Sequence, residues 1–368
     1  MLTGIHTVDQ ATLATIYRFS IESGGNVIIF GAAGCGKTEM AFQAAAAKGR
    51  EHVYLNLSVL EAPDLMGLPM IDPDTHLSEY ATPRFLPLKG ARKDGVVLIV
   101  DEIDKSKPEL QNPMLELFQF RSINGRALDI HSIIATGNLP EEGAFSLPVS
   151  HALTNRCMVY KVESSFDPWQ QWAAETGVNG LIVGFLSKNP EYLLMPPPEG
   201  DDTAYCHPSP RAWTGAARDL DRVMKESVDF QTMLVAGRVG QAAAVKFRVW
   251  LDHYRHIEPI IDRLIKEGAK PNITDMTVDR VMVCAIAGCN AISQLCRDTG
   301  TGAEKAKQED KILKVTKNVF GWLDGIPSEF AIGAVKSVLS MKIIQDWKLT
   351  RVPELMSTYV KIRKSLND

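Results

Sequence analysis

The run Gly31-Ala32-Ala33-Gly34-Cys35-Gly36-Lys37-Thr38 constrains this chain more than any other stretch. It spells G-x-x-x-x-G-K-[ST] without a departure, and its flanks supply the matching structure. Before it, Val27, Ile28, Ile29 and Phe30 form a continuous apolar run rich in β-branched residues, the pattern of a buried parallel strand. After it, residues 38–48 are rich in Ala, Met, Phe and Gln, which suits a helix, and Gly49 closes it. A strand, a glycine-bearing loop and a helix in that order gather backbone N–H groups and a helix N-terminus around one point, a setting made for phosphate oxygens. Lys37 then supplies a point charge at the β- and γ-phosphates, and Thr38 offers a hydroxyl to Mg2+. Residues 31–38 are therefore expected to line a site for ATP.

A second apolar run, Val96 to Val100, ends in Asp101 and Glu102. In a parallel sheet, ligands sit at the carboxyl ends of the strands, so both motifs fall on one edge. Asp101 is expected to join Thr38 in the magnesium shell, largely through water, and Glu102 to polarise an attacking water. Ala135-Thr136-Gly137-Asn138 closes a further strand over 133–136, and the Asn138 amide is placed to help Glu102 hold that water near the γ-phosphate. Asn56, near the end of a strand over 53–57, is a candidate contact for Glu102. Residues 158–162 read as one more strand.

Strands alternating with helices through residue 165 predict a mainly parallel sheet covered on both faces. Residues 13–19 fit a short helix. Residues 61–89 are proline-rich and cannot be one regular element, so they read as an inserted loop or hairpin. Residues 108–120 form a helix opened by Pro108. Asn124-Gly125 marks a hairpin. Beyond residue 165 the periodicity turns helical, over 168–188, 213–223, 240–254, 278–296, 311–323 and 327–339. An α/β nucleotide-binding domain is accordingly expected over 1–165, with a helical remainder over 166–368.

The formal net charge of −4 argues against a nonspecific nucleic-acid binder, which runs on excess Lys and Arg. None of the six cysteines lies in a C-x-x-C pair, which speaks for free thiols in a reducing compartment. No apolar run is long enough to span a bilayer, and the first ten residues lack the pattern of a secretory leader, so a cytoplasmic protein is expected. The small basic run Lys361-Ile362-Arg363-Lys364 reads as a solvated end.

Taken in order, the phosphate loop, the acid-tipped strand, Asn138, Leu153-Thr154-Asn155-Arg156 and Pro208-Ser209-Pro210-Arg211-Ala212 resemble the AAA+ ATPases, in particular the MoxR-like group related to magnesium chelatase ATPase subunits. The likeness is strong through residue 165 and fades beyond Arg238. It implies an α/β P-loop core at 1–165 followed by a helical lid at 166–225 and a helical C-terminal region at 226–368. It makes Arg156 the finger that reaches a neighbouring subunit's nucleotide, and Arg211 the second sensor, carried by the lid. It assigns 61–89 and 121–129 to the two inserts of that clade, near the pore or substrate face. It also implies a homo-oligomeric, hexameric ring, a protein client and a partner bearing a von Willebrand factor A domain. Cys35 and Asn155 depart from the family's commoner residues, and Arg84, Arg121 and Arg126 are rival candidates for the arginine acting in trans.

Three functions compete. The first is a ring ATPase that remodels, assembles or metal-loads a protein client. The second is a nucleic-acid motor on the same core, which the acidic balance disfavours. The third is a nucleotide-gated scaffold with little hydrolysis, which the presence of Glu102, Asn138 and Arg156 disfavours.

Overall fold

Val27, Ile28, Ile29 and Phe30 are apolar without interruption because the strand they form is covered on both faces. Ile28 and Phe30 join a cluster with Leu98, Val100, Ile133, Leu110, Met114 and Leu117. Val27 and Ile29 point the other way, into a cluster with Leu13, Tyr17, Ile21, Ala41, Val97 and Ile134. Side chains alternate across a strand, so a strand sandwiched between helix layers needs an apolar residue at each position.

The computed structural model describes residues 4–139, 146–195, 206–297, 303–327 and 352–365, with positions 335, 338 and 344. These divide into two compact units, one carried by Met1–Ser164 and one by the described residues from Ser165 onward. In the first, β1 (His6–Asp9) leads into α1 (Gln10–Ser23), β2 (Asn26–Phe30), α2 (Lys37–Ala47) and β3 (His52–Asn56). A short helix α3 (Ala62–Met66) and a hairpin of β4 (Leu68–Ile71) and β5 (Ser78–Ala81) follow. Then come β6 (Val96–Asp101), α4 (Pro108–Phe120), a hairpin of β7 (Ser122–Ile123) and β8 (Arg126–Ala127), β9 (Ile130–Gly137), α5 (His151–Thr154) and β10 (Met158–Glu163). Six strands pair in the order β1-β10-β2-β9-β6-β3, all in parallel. This is the α/β P-loop core expected from the sequence.

Two elements exceed the sequence reading. Strand β1 carries a single buried residue, Val8, so no apolar run announces it. Helix α1 is longer than 13–19: Asp9 caps its start by accepting from the Thr12 N–H at 2.7 Å, and Gly24 ends it in the left-handed region. The proline-rich stretch resolves into α3 and the β4–β5 hairpin. The Asn124-Gly125 turn has both residues at positive φ, 50° and 72°, as a two-residue hairpin turn requires. Glu116 on α4 pins it, accepting from Ser122 Oγ at 2.6 Å, Gly125 N–H at 2.9 Å and Asn124 N–H at 3.1 Å.

The second unit is helical among its described residues: α6 (Phe166–Thr176), α7 (Gly180–Lys188), α8 (Pro210–Arg222), α9 (Val228–Val239), α10 (Gln241–Glu267), α11 (Val278–Arg297), α12 (Ala303–Leu323) and α13 (Pro353–Ser365). The helix expected over 168–188 is two helices, because Gly177 leaves the first in the left-handed conformation at φ 81°. The helix expected over 240–254 continues to Glu267 through Pro259. One apolar cluster runs through Trp213, Val235, Phe247, Trp250, Ile286, Phe320 and Leu355. The helix expected over 327–339 lies almost wholly outside the described residues, as do the side chains of Lys361-Ile362-Arg363-Lys364. Among the described residues no helix is long and apolar enough to cross a membrane.

Phe247 is fully buried and its ring meets Phe185, Trp213 and Trp250 with centroids 5.5, 6.3 and 6.0 Å away. Phe247→Ala should cost the second unit about 3–5 kcal/mol, read as an earlier denaturant midpoint for the loss of Trp fluorescence.

Candidate functional site

At the carboxyl end of β2 the chain turns through residues 31–36 and opens α2 at Lys37. The sheet dictates the first glycine: a Cβ on Gly31 would lie 2.7 Å from both the carbonyl oxygen and Cγ1 of Val162 on β10. Gly34 and Gly36 sit at φ 77° and 96°, which lets the loop curl back over the helix start. Within the curl the Lys37 ammonium donates to Gly31 O at 2.5 Å, Ala32 O at 3.0 Å and Asn138 Oδ1 at 3.0 Å, with Cys35 Sγ 3.9 Å away. Among the described residues the N–H groups of Gly34, Gly36, Lys37 and Thr38 find no backbone acceptor. Unpaired donors at a helix N-terminus beside an ammonium are a ready site for an anion.

Helix α1 supports this loop from behind, through residues that no motif marks. Gln10 Nε2 donates to Cys35 O at 3.0 Å, and the buried Tyr17 hydroxyl donates to Lys37 O at 3.1 Å. Burial, and then Cys35 and Asp101, push the Tyr17 phenol well above its usual range, so it stays a donor.

Next to the loop, β6 ends in the acids. Asp101 Oδ1 accepts from Glu102 N–H at 3.0 Å and from the Thr136 hydroxyl, while Oδ2 accepts from the Tyr54 hydroxyl at 3.1 Å. Tyr54 is pushed up to about 12 by burial and by Asp101. Glu102 holds φ 56°, ψ 45°, a left-handed conformation that costs a non-glycine residue about 1–3 kcal/mol. It turns the chain into a short 3-10 turn, Ile103–Lys105, anchored by the buried Ile103. Among the described residues its carboxylate accepts no hydrogen bond from the protein, which leaves it available to a water. Asn56 accepts from Ser58 N–H at 2.9 Å and Ser58 Oγ at 2.8 Å, so its carbonyl oxygen is engaged away from Glu102.

Asp104, two residues after Glu102, is a part of the site that the sequence reading missed. It is buried, and its carboxylate accepts from Asn138 N–H at 3.0 Å and Ser146 Oγ at 3.1 Å, with Lys105 Nζ at 3.7 Å. It fixes the end of β9 and with it the Asn138 amide. Its neighbours Asp101 and Glu102 carry the recognisable pattern, and nothing in the sequence separates Asp104 from a surface acid.

The structure thus brings Gly31, Ala32, Ala33, Gly34, Cys35, Gly36, Lys37 and Thr38 to one sheet edge with Asp101, Glu102 and Asn138. For a divalent cation the protein offers the Thr38 hydroxyl and the Asp101 carboxylate. The described residues hold no group of three or more His, Cys, Asp or Glu side chains able to take a metal alone. That donor set fits magnesium, which keeps its waters and is shared with substrate phosphates.

Arg156 lies elsewhere. It lies two residues beyond α5, and its carbonyl accepts from Asn26 Nδ2 at 3.0 Å, at the amino end of β2. Its guanidinium is held by Gln119 Oε1 at 2.9 and 2.7 Å and by Ala152 O at 2.5 Å. The five residues of β2 separate it from the loop, a span of about 13 Å at the usual strand rise. Among its rivals, Arg121 is spent on Phe118 O at 2.7 Å and Gly24 O at 3.1 Å, and Arg126 on Glu79 at 2.7 Å. Arg84 is exposed. Arg211, second residue of α8, is exposed in the second unit, where Ser209 caps the helix by accepting from Ala212 N–H at 3.2 Å.

Asp104→Ala should strand the Asn138 N–H and the Ser146 hydroxyl, lowering stability by about 1–3 kcal/mol in a thermal or urea unfolding experiment.

Residues 26–156 match the family described as AAA domain (dynein-related subfamily). An uncharacterized protein of Staphylococcus saprophyticus is 29% identical over 271 residues, covering 71% of this chain and 89% of its own. Among solved structures, NtrX from Brucella abortus in complex with ADP aligns at 16% identity, over 91% of this chain and 67% of that one, with a TM-score of 0.36. A RuvB variant from Thermotoga maritima aligns at 13% identity, over 72% and 80%, with a TM-score of 0.35. The matched stretch, 26–156, holds the phosphate loop, the acid-tipped β6 and Asn138 at one edge of the parallel sheet, and is similar to AAA domains.

Proposed function

We propose that this chain is an ATP hydrolase of the MoxR-like kind, working as a homo-oligomeric ring of six that remodels, assembles or metal-loads a protein client. The observation that carries the shared-site part of this reading is the position of Arg156. It stands at the amino edge of the sheet while the phosphate loop stands at the carboxyl edge, so its own loop is out of its reach. A guanidinium there acts on phosphate only across a subunit boundary.

In this reading the γ-phosphate takes the Lys37 ammonium away from Gly31 O and Ala32 O, and the loop N–H groups close on the β-phosphate. Glu102 orients a water for in-line attack on the γ-phosphorus; the bond to the β–γ bridging oxygen breaks, and ADP and phosphate leave. Asn138 holds the same water from the other side. Thr38 and Asp101 would hold magnesium, largely through water, and the ion would neutralise phosphate charge. Arg156 of a neighbour and Arg211 of the 166–225 lid stabilise charge that grows on the γ-oxygens. The clade's client and von Willebrand factor A partner are expected to meet the ring through its inserts and its C-terminal helices.

The test is subunit mixing. Glu102→Gln and Arg156→Ala should each bind ATP normally and hydrolyse it at least about 100-fold more slowly than the unaltered chain. Mixed, they should recover measurable turnover, because some interfaces then pair an intact Glu102 with an intact Arg156. Full turnover by Arg156→Ala alone would overturn the shared site, and no ATP turnover by the unaltered chain would overturn the hydrolase reading.

A further inference from the structure

Tyr54 belongs to no motif, yet it touches the acid at the centre of the site. In the pairing of β3 with β6, Asn56 lies opposite Asp101 and Tyr54 opposite Ile99. Two residues along a strand is about 7 Å, close to the length of a tyrosine side chain. The ring therefore lies along the strand and brings its hydroxyl to Asp101 Oδ2, 3.1 Å away. Phe42 of α2 holds the ring in that direction, with centroids 5.6 Å apart, and packs in turn on His52 at 5.0 Å. The helix that the phosphate loop opens thus also orients Tyr54.

The two oxygens of Asp101 are treated differently. Oδ1 accepts from Glu102 N–H and the Thr136 hydroxyl, both within the strand ends of its own edge. Among the described residues Oδ2 accepts from Tyr54 alone. Two donors on one oxygen leave the carboxylate free to rock about that oxygen, and a third on the other oxygen fixes its plane. We propose that Tyr54 is a positioning residue that sets the direction of Asp101 Oδ2 and so sets the affinity of the nucleotide site for its divalent cation. This rests on the Mg–ATP reading above. It adds a specific dependence: the cation, rather than the nucleotide, is what Tyr54 affects.

Tyr54→Phe removes one hydroxyl and keeps the ring on Phe42. Binding of a fluorescent ADP analogue would be measured in EDTA, and then across a Mg2+ titration. The expected result is unchanged affinity in EDTA and a rise of about fivefold in the Mg2+ concentration that half-saturates the magnesium-dependent change, the size of one lost hydrogen bond. Asp101→Asn should shift the same curve further, and adding Tyr54→Phe to Asp101→Asn should shift it no more, because the hydroxyl acts through that carboxylate. Equal magnesium curves for Tyr54→Phe and the unaltered chain would overturn the inference. So would weaker binding in EDTA, or additive shifts in the double variant, either of which would make Tyr54 a support of the fold. If the unaltered chain bound no ADP analogue, the nucleotide reading itself would fail, and this inference with it.

Discussion

Parallel pairing of β2 with β9 and β10 sets everything at the site. It brings the ends of β2, β6 and β9 to one edge in register, with Phe30 beside Gly137 and Val100 beside Ala135. Each strand then delivers its next residues to one small volume: the phosphate loop from β2, Asp101 and Glu102 from β6, Asn138 from β9. The same pairing forbids a side chain at Gly31, where β10 passes too close. The two apolar clusters cover the sheet on both faces and, being close-packed, hold it rigid. Chemistry at an edge inherits that rigidity.

Much of this was written locally in the chain. A buried strand, a glycine loop and a helix follow one another without a gap, and the acids terminate a run of five apolar residues, so position along the chain predicts position in space. What escaped the reading depends on contacts that only the sheet creates. Tyr54 reaches Asp101 through cross-strand register, and the sequence instead pointed to Asn56, which turned to Ser58. Gln10 and Tyr17 reach the loop from a helix whose polar contacts leave no periodic trace. Asp104 sits among acids and becomes distinct only once it is buried against Asn138 and Ser146. In the second unit, Gly177 broke a helix that apolar spacing would have continued, because spacing does not register a left-handed residue.

The site stores its cost in a few places. Glu102 holds an unfavourable backbone conformation and a carboxylate that receives no donor among the described residues, although Asp101 beside it receives three. Two adjacent acids are thereby assigned different work by their surroundings: one is immobilised, the other is left free to bind a mobile partner. Asp104 offsets the strain from the far side of the turn, tying residues 138 and 146 to it, so the irregular backbone at Glu102 is bracketed by satisfied groups.

The hydrogen bond between Lys37 and Asn138 links the loop to the end of β9. An ammonium has three protons, and here Gly31 O, Ala32 O and Asn138 Oδ1 take all three. On the proposed reading, phosphate oxygens draw the ammonium away, and one consequence is that Asn138 Oδ1 loses its donor. A half-buried amide oxygen then accepts from whatever donor is nearest, and next to a γ-phosphate that donor is water. Among the described residues the Glu102 carboxylate also has no donor from the protein. On that proposed reading, the water that both would hold is recruited by the arrival of the nucleotide, and the geometry for attack is assembled by binding.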